Sequence, residues 1–176
     1  MNIKIMINDK LLFFMGQTVV IKEGLCMSNK TYRALDVAKY VVNYVNNEGK
    51  PITHLQIQKI LYYIQAQFLV EKSKPLFLEP IEAWRHGPVV SSVYSYYRRY
   101  TNMAIFSKEQ PSVTFTTNEQ KIMNKVIDKY KEVNGWDLVN KTHQESPWKD
   151  VYRNGQGMNC EIPLYSIKKY FSKVMC

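Results

Sequence analysis

Glu79–Tyr100 reads EPIEAWRHGPVVSSVYSYYRRY, and the fold turns on how this stretch is read. Ile81, Glu82, Ala83 and Trp84 alternate as a short half-buried strand does. Gly87-Pro88 breaks the pattern: glycine takes positive φ in a tight turn, and proline suits the first position of a helix. Val89, Val93, Tyr96, Tyr97 and Tyr100 then recur three and four apart, which predicts a helix with one apolar stripe. Arg98 and Arg99 fall in its last turn, where cations complement the helix dipole. The expectation is a strand–turn–helix unit dense in tyrosine, with Trp84 at its start.

Working outward, the flanking segments read mainly as helices. Leu35, Ala38, Val42 and Val45 share one face of a helix over Leu35–Glu48, closed by Gly49 and Pro51. Thr53-His54-Leu55-Gln56 fits a capping box and opens a helix to about Glu71, with Ile57, Ile60, Leu61, Ile64 and Phe68 inward. On this helix Lys59 is expected to snorkel, its stem packed and its ammonium in water. Downstream, Val113 and Phe115 alternate with polar residues, predicting a strand that pairs with Ile81–Trp84. Thr116 and Glu119 make a second capping box, before a helix carrying Ile122, Val126, Ile127 and Tyr130. Trp136–His143 is a short helix, Trp148–Tyr152 adds a turn, and Pro163 starts a last helix with Leu164, Ile167, Tyr170 and Phe171 inward. The expected fold class is mainly α: one compact helical domain with a small two- or three-stranded antiparallel β element.

The first residues differ from the rest. Leu11–Met15 is apolar but far shorter than the roughly 20 residues that span a bilayer. Two readings stand for residues 1–27. In one, the segment is upstream DNA read as protein: Lys22-Glu23-Gly24 matches a translated ribosome-binding sequence and Met27 follows at start-codon distance. In the other it is an added strand or hairpin, with Ile3, Ile5 and Ile7 alternating. The domain proper is placed at 28–176.

At 176 residues and 45% hydrophobic composition, the chain is long and apolar enough for one real core. Its 24 Lys and Arg against 15 Asp and Glu give +9, a balance that favours acidic partners. Cys26, Cys160 and Cys176 have no metal-like spacing, consistent with a reduced, cytoplasmic protein. There is no P-loop, dinucleotide fingerprint or nucleophile elbow. His54, His86 and His143 lie on separate elements, so neither a metal site nor a cofactor is expected. His143, Glu145 and Ser146 are near in sequence, but a corner anchored by Pro147-Trp148 explains them better than a triad, and no catalytic residue is expected.

The order Leu55-Gln56-Ile57-Gln58-Lys59-Ile60-Leu61-Tyr62-Tyr63, then Pro80-Ile81-Glu82-Ala83-Trp84-Arg85-His86-Gly87-Pro88-Val89-Val90, then Thr142-His143, Glu145 and Pro147-Trp148 resembles the Panacea domain. This is the SocA/GepA-like antitoxin family of bacteria, phages and prophages, and the resemblance runs from about Ser28 to Tyr170. It implies a mostly helical, non-enzymatic domain that neutralises a toxin encoded by an adjacent gene, by direct binding or as an adaptor that delivers the toxin to a cellular protease. It implies no catalytic residues, no cofactor and no membrane. Nucleic acid is the secondary partner, through a basic, tyrosine-rich surface. The candidate partner-binding residues are Lys59, Tyr62, Tyr63, Trp84, Arg85, His86, Tyr94, Tyr97 and Arg98; the simplest reading of the aromatic ones among them is large core residues whose hydroxyls reach the surface. Tyr94 and Tyr97 are placed on one helix face with Arg98 beside them. The alternative surface is the last helix around Lys168, Lys169 and Lys173.

Overall fold

The computed structural model describes residues 3–7, 10–15, 18–22 and 30–174. The chain divides into two units, Met1–Lys30 and Thr31–Cys176. In the first, β1 (Ile3–Ile7), β2 (Lys10–Met15) and β3 (Thr18–Lys22) form an antiparallel meander. Ile3 pairs with Phe14, and Leu12 pairs with Ile21. Glu23, Gly24 and Met27, which bear on the upstream-DNA reading, lie outside the described residues, as do Cys26 and Cys176.

The second unit is mainly α and is built around one helix. Its elements are α1 (Ala34–Asn47), β4 (Ile52–Thr53), α2 (His54–Lys72), β5 (Glu82–Trp84), β6 (Gly87–Val89), α3 (Ser91–Tyr97), β7 (Ala104–Ile105), α4 (Thr117–Tyr130), α5 (Gly135–His143), α6 (Ser146–Tyr152) and α7 (Leu164–Val174). Both capping boxes form. Thr53 Oγ1 accepts from the Gln56 amide while the Gln56 side chain accepts from the Thr53 amide; Thr116 and Glu119 repeat the pattern. Each satisfies two helix-end amides that would otherwise lack partners.

Helix α2 is buried on every side rather than along one stripe: every residue from Ile57 to Leu69 is buried. It packs against α1, α3, α4, α5 and α7. Such burial costs nothing for Ile60 or Leu61, but a polar side chain needs a partner. The partners are backbone groups of the chain that returns past α2. Gln65 accepts from the Leu76 amide at 2.9 Å and donates to the Phe77 carbonyl at 2.8 Å. Gln58 accepts from the Val90 amide at 2.8 Å, and the Lys59 ammonium donates to the Pro88 carbonyl at 3.0 Å. The polar residues of α2 therefore fix the path of residues 76–90.

That path corrects the expected strand–turn–helix unit. Gly87-Pro88 is not a turn leading into a helix; it is the start of β6, which pairs antiparallel with β5. The turn is the dipeptide Arg85-His86, and α3 starts later, at Ser91. Proline fits here because its position opposite Ala83 lies in a three-residue edge strand, where a missing N–H costs little. Gly87 has φ +95°, the region that glycine enters freely and other residues enter only with strain. Arg98–Tyr100 forms a 3₁₀ turn instead of completing α3.

The expected strand around Val113 and Phe115 is also absent: residues 106–115 carry no strand. Phe115 is instead a core ring, 4.6 Å from Tyr32 and 5.3 Å from Tyr40 between centroids. The third stretch against the hairpin is residues 159–162. There the Ala83 amide donates to Cys160 O at 2.8 Å and the Ile162 amide to Ile81 O at 2.7 Å. A second small sheet pairs β4 with β7, Ile52 opposite Ile105. Among the described residues no helix is long and apolar enough to cross a membrane.

Candidate functional site

Between α2, the β5–β6 hairpin, α3 and the start of α5 lies a groove of about 580 Å³. This is within the size range of ligand and peptide pockets. Trp84, Arg85, His86, Tyr94 and Arg98 line it, with Lys59 at its floor. Sequence reasoning placed these six among the partner-binding candidates. The hairpin supplies Trp84, Arg85 and His86 because Arg85-His86 is its tip, and tip side chains face outward. Both are exposed, as is Arg98. Tyr94 is 38% exposed and packs between two rings, with centroids 4.8 Å from His54 and 4.8 Å from Trp84.

The other candidates lie elsewhere. Tyr62 and Tyr63 are 0% exposed, and Tyr97 is 2% exposed. Tyr63 stacks on Tyr130 at 4.3 Å and donates to Glu145 at 3.1 Å. Tyr62 meets Phe171 edge-on at 5.6 Å. A docking partner touches none of these rings while the domain is folded. Tyr97 does not share the exposed face of Tyr94: it points into the core beside Val93.

Lys59 corrects the snorkelling expectation. It is fully buried, and its hydrogen bond to Pro88 replaces water. Burial lowers its ammonium from the ordinary 10.5 to about 7. A Cβ at Gly87 would fall 2.8 Å from Lys59 Cε and 2.6 Å from Thr142 Oγ1, so the lysine reaches Pro88 only because residue 87 has no side chain. Burial first, and then the Lys59 charge, push His54 down to about 4. The groove floor is thus a histidine held neutral and a lysine with a weakened proton.

Trp136 and Asn134 are among the groove residues outside the sequence-based candidates. Trp136, 57% exposed, lines the far wall, with the His86 ring edge-on at 5.2 Å. Asn134 beside it caps α5, its side chain accepting from the Trp136 amide at 2.8 Å. An exposed Trp at a helix start is a visible signal, but its neighbourhood with His86 depends on α5 packing against α2 and β6.

His143, Glu145 and Ser146 form no triad-like hydrogen bonds among the described residues. The His143 ring stacks on Trp148 at 4.0 Å and 10°. The Trp148 indole N–H in turn donates to Trp84 O at 2.9 Å, which ties the tip end of the hairpin to α6. Glu145 faces the tyrosine cluster. Burial raises its carboxyl to about 7, outweighing the Tyr63 hydroxyl and the Lys141 ammonium, which favour the charged form. Among the described residues no three His, Cys, Asp or Glu side chains converge as metal ligands.

The arrangement is an aromatic, basic concavity between α2, the hairpin, α3 and α5. Residues 57–149, which contain the hairpin, the His143–Trp148 corner and all but the first three residues of α2, match the family described as "Antitoxin SocA-like, Panacea domain". The chain belongs to the SocA-like Panacea domain family. It is similar to a protein named "Antitoxin SocA" from Caulobacter vibrioides (strain NA1000 / CB15N), with 31% identity over 126 residues. The alignment covers 65% of this chain and 66% of that protein, just under two thirds of its length. No solved structure matches. Almost every groove residue lies within the family match; Thr53, His54 and Leu55 precede it. The elements that frame the groove are therefore elements of the Panacea domain itself.

Proposed function

We propose that this Panacea domain is the antitoxin of a toxin–antitoxin pair, which neutralises a protein toxin encoded by an adjacent gene by binding it, with no chemistry of its own. The observation that carries the reading is the family match over residues 57–149, together with the similarity to Antitoxin SocA. The groove supports it physically. Tyr, Trp and Arg are the side chains that carry most energy in protein interfaces, and here Tyr94, Trp84, Trp136, Arg85 and Arg98 converge on a frame that needs little ordering. Direct occlusion of the toxin and its delivery to a cellular protease both begin with this capture.

The test is co-expression with the neighbouring open reading frame in a host that the neighbour alone arrests. Growth restored by this chain supports the reading. A neighbour that is harmless alone, or that stays lethal beside this chain, refutes it. Toxin levels separate the two routes: unchanged levels mean occlusion, and protease-dependent loss means delivery.

A further inference from the structure

Charge is spread unevenly over the second unit. Among the described residues no aspartate or glutamate lines the groove, whereas Lys59, Arg85 and Arg98 do. Among the described residues none of these three forms an ion pair. Their neighbours differ. Arg99 pairs with Glu109 at 3.5 Å and lies over Tyr96 and Tyr100. Lys39 also pairs with Glu109, and Lys131 pairs with both Glu48 and Asp128. Glu82, two positions from Trp84 on the hairpin, accepts the Trp84 indole N–H at 2.7 Å and does not line the groove. At the groove itself, Arg85 and Arg98 stand without carboxylate partners beside the exposed rings of Tyr94 and Trp136; other cations outside the ion pairs, such as Lys149 and Lys169, do not line it.

Resting on the reading above, we propose that the groove receives an acidic segment of the toxin. Its carboxylates lie against Arg85 and Arg98, and an apolar side chain packs on Tyr94 and Trp136. Charge complementarity identifies the occupant: guanidinium forks match carboxylates two N–H groups at a time. Lys59, with its single carbonyl partner, adds positive potential from beneath. A protein segment fits better than nucleic acid. A single-stranded nucleic acid tracks a long basic channel with stacked bases, whereas here two guanidiniums line one short, half-open concavity.

The test uses the full chain and the toxin it neutralises, titrated by calorimetry at low and high salt. Arg85→Glu/Arg98→Glu is expected to weaken binding at least about tenfold at low salt, with the gap narrowing at high salt. Arg85→Lys/Arg98→Lys is expected to keep most of the affinity at low salt. Trp136→Ala is expected to weaken binding at both salts by a similar factor. All these side chains are exposed, so unchanged melting temperatures are expected. A short glutamate-rich peptide carrying one phenylalanine is expected to displace the toxin, and its glutamine counterpart is not. Wild-type binding that the Glu variants leave unchanged overturns the acidic-segment proposal while the antitoxin reading stands. No complex with the wild type overturns the antitoxin reading itself. A labelled single-stranded oligonucleotide that displaces the toxin from the wild type, where the glutamate peptide fails, overturns the assignment of a protein segment.

Discussion

The Lys59 ammonium donates a 3.0 Å hydrogen bond to the carbonyl of Pro88, and no carboxylate pairs with it among the described residues. A buried cation with one neutral partner is held at a cost, and its proton is weakened to about 7 from 10.5. Between those values the unfolded chain binds a proton that the folded chain does not, so stability rises with pH through about 7 to 10. Below pH 7 the full penalty applies. Lys59→Met keeps the stem and removes the charge. The variant is expected to be more stable by about 1–3 kcal/mol at pH 6, net of the lost hydrogen bond, and to lack the rise. Urea denaturation at pH 6 and pH 9.5 checks this; a variant with the wild-type slope contradicts it.

Gly87→Ala is expected to destabilise the domain by about 2–4 kcal/mol. Two mechanisms act together: strain at φ +95°, and a Cβ driven into Lys59 and Thr142. Pairing it with Thr142→Ala removes the atom nearest the new Cβ, Thr142 Oγ1, but not the strain. A double-mutant cycle by chemical denaturation should therefore recover only part of the loss.

Glu145 carries the opposite pH dependence from Lys59. Its folded carboxyl is raised to about 7 from 4.5, so between these values the folded chain holds a proton that the unfolded chain releases. Its contribution to stability falls as pH rises through that window. His54, lowered to about 4, works against this over the same range, so the raw profile is a composite. The difference between wild type and Glu145→Gln isolates the carboxyl. The variant is expected to gain on the wild type from pH 5 to pH 7.5, by about 1–3 kcal/mol. A constant difference across that range contradicts the buried carboxyl.

Tyr94 and Tyr97 are three residues apart yet do different work. Tyr97→Ala empties a core position and is expected to cost about 3–5 kcal/mol. Tyr94→Ala, at a 38% exposed ring, is expected to cost under about 1.5 kcal/mol of stability while weakening toxin neutralisation. Melting curves beside a neutralisation assay separate them. Equal melting losses would contradict the placement of Tyr97.

Local signals carried far in this chain. Thr53 with Gln56 and Thr116 with Glu119 announced two helix starts, and both boxes form as read. Gly87-Pro88 misled because the same pair suits a helix entry and an edge strand. What decides between them is the Lys59 hydrogen bond to Pro88 and the Gln58 hydrogen bond to Val90, contacts about thirty residues away that no local pattern encodes. The burial of Lys59 was hidden for the same reason: α2 shows an apolar stripe in sequence, and only its neighbours on every side reveal that it is central. Trp84, Arg85, His86, Tyr94 and Arg98 were legible as a cluster because they are close in the chain. Trp136 was not, because packing alone brings α5 to the hairpin.

Backbone hydrogen–deuterium exchange, on this chain alone and in complex with the toxin it neutralises, is the sharpest test of the groove as the docking site. Slowed exchange on binding is predicted at the hairpin tip, residues 84–87, and at the start of α5, residues 134–137. Helix α7 around Lys168, Lys169 and Lys173 should be unchanged. Protection confined to α7, with the hairpin and α5 exchanging as in the free chain, would contradict the groove as the docking site.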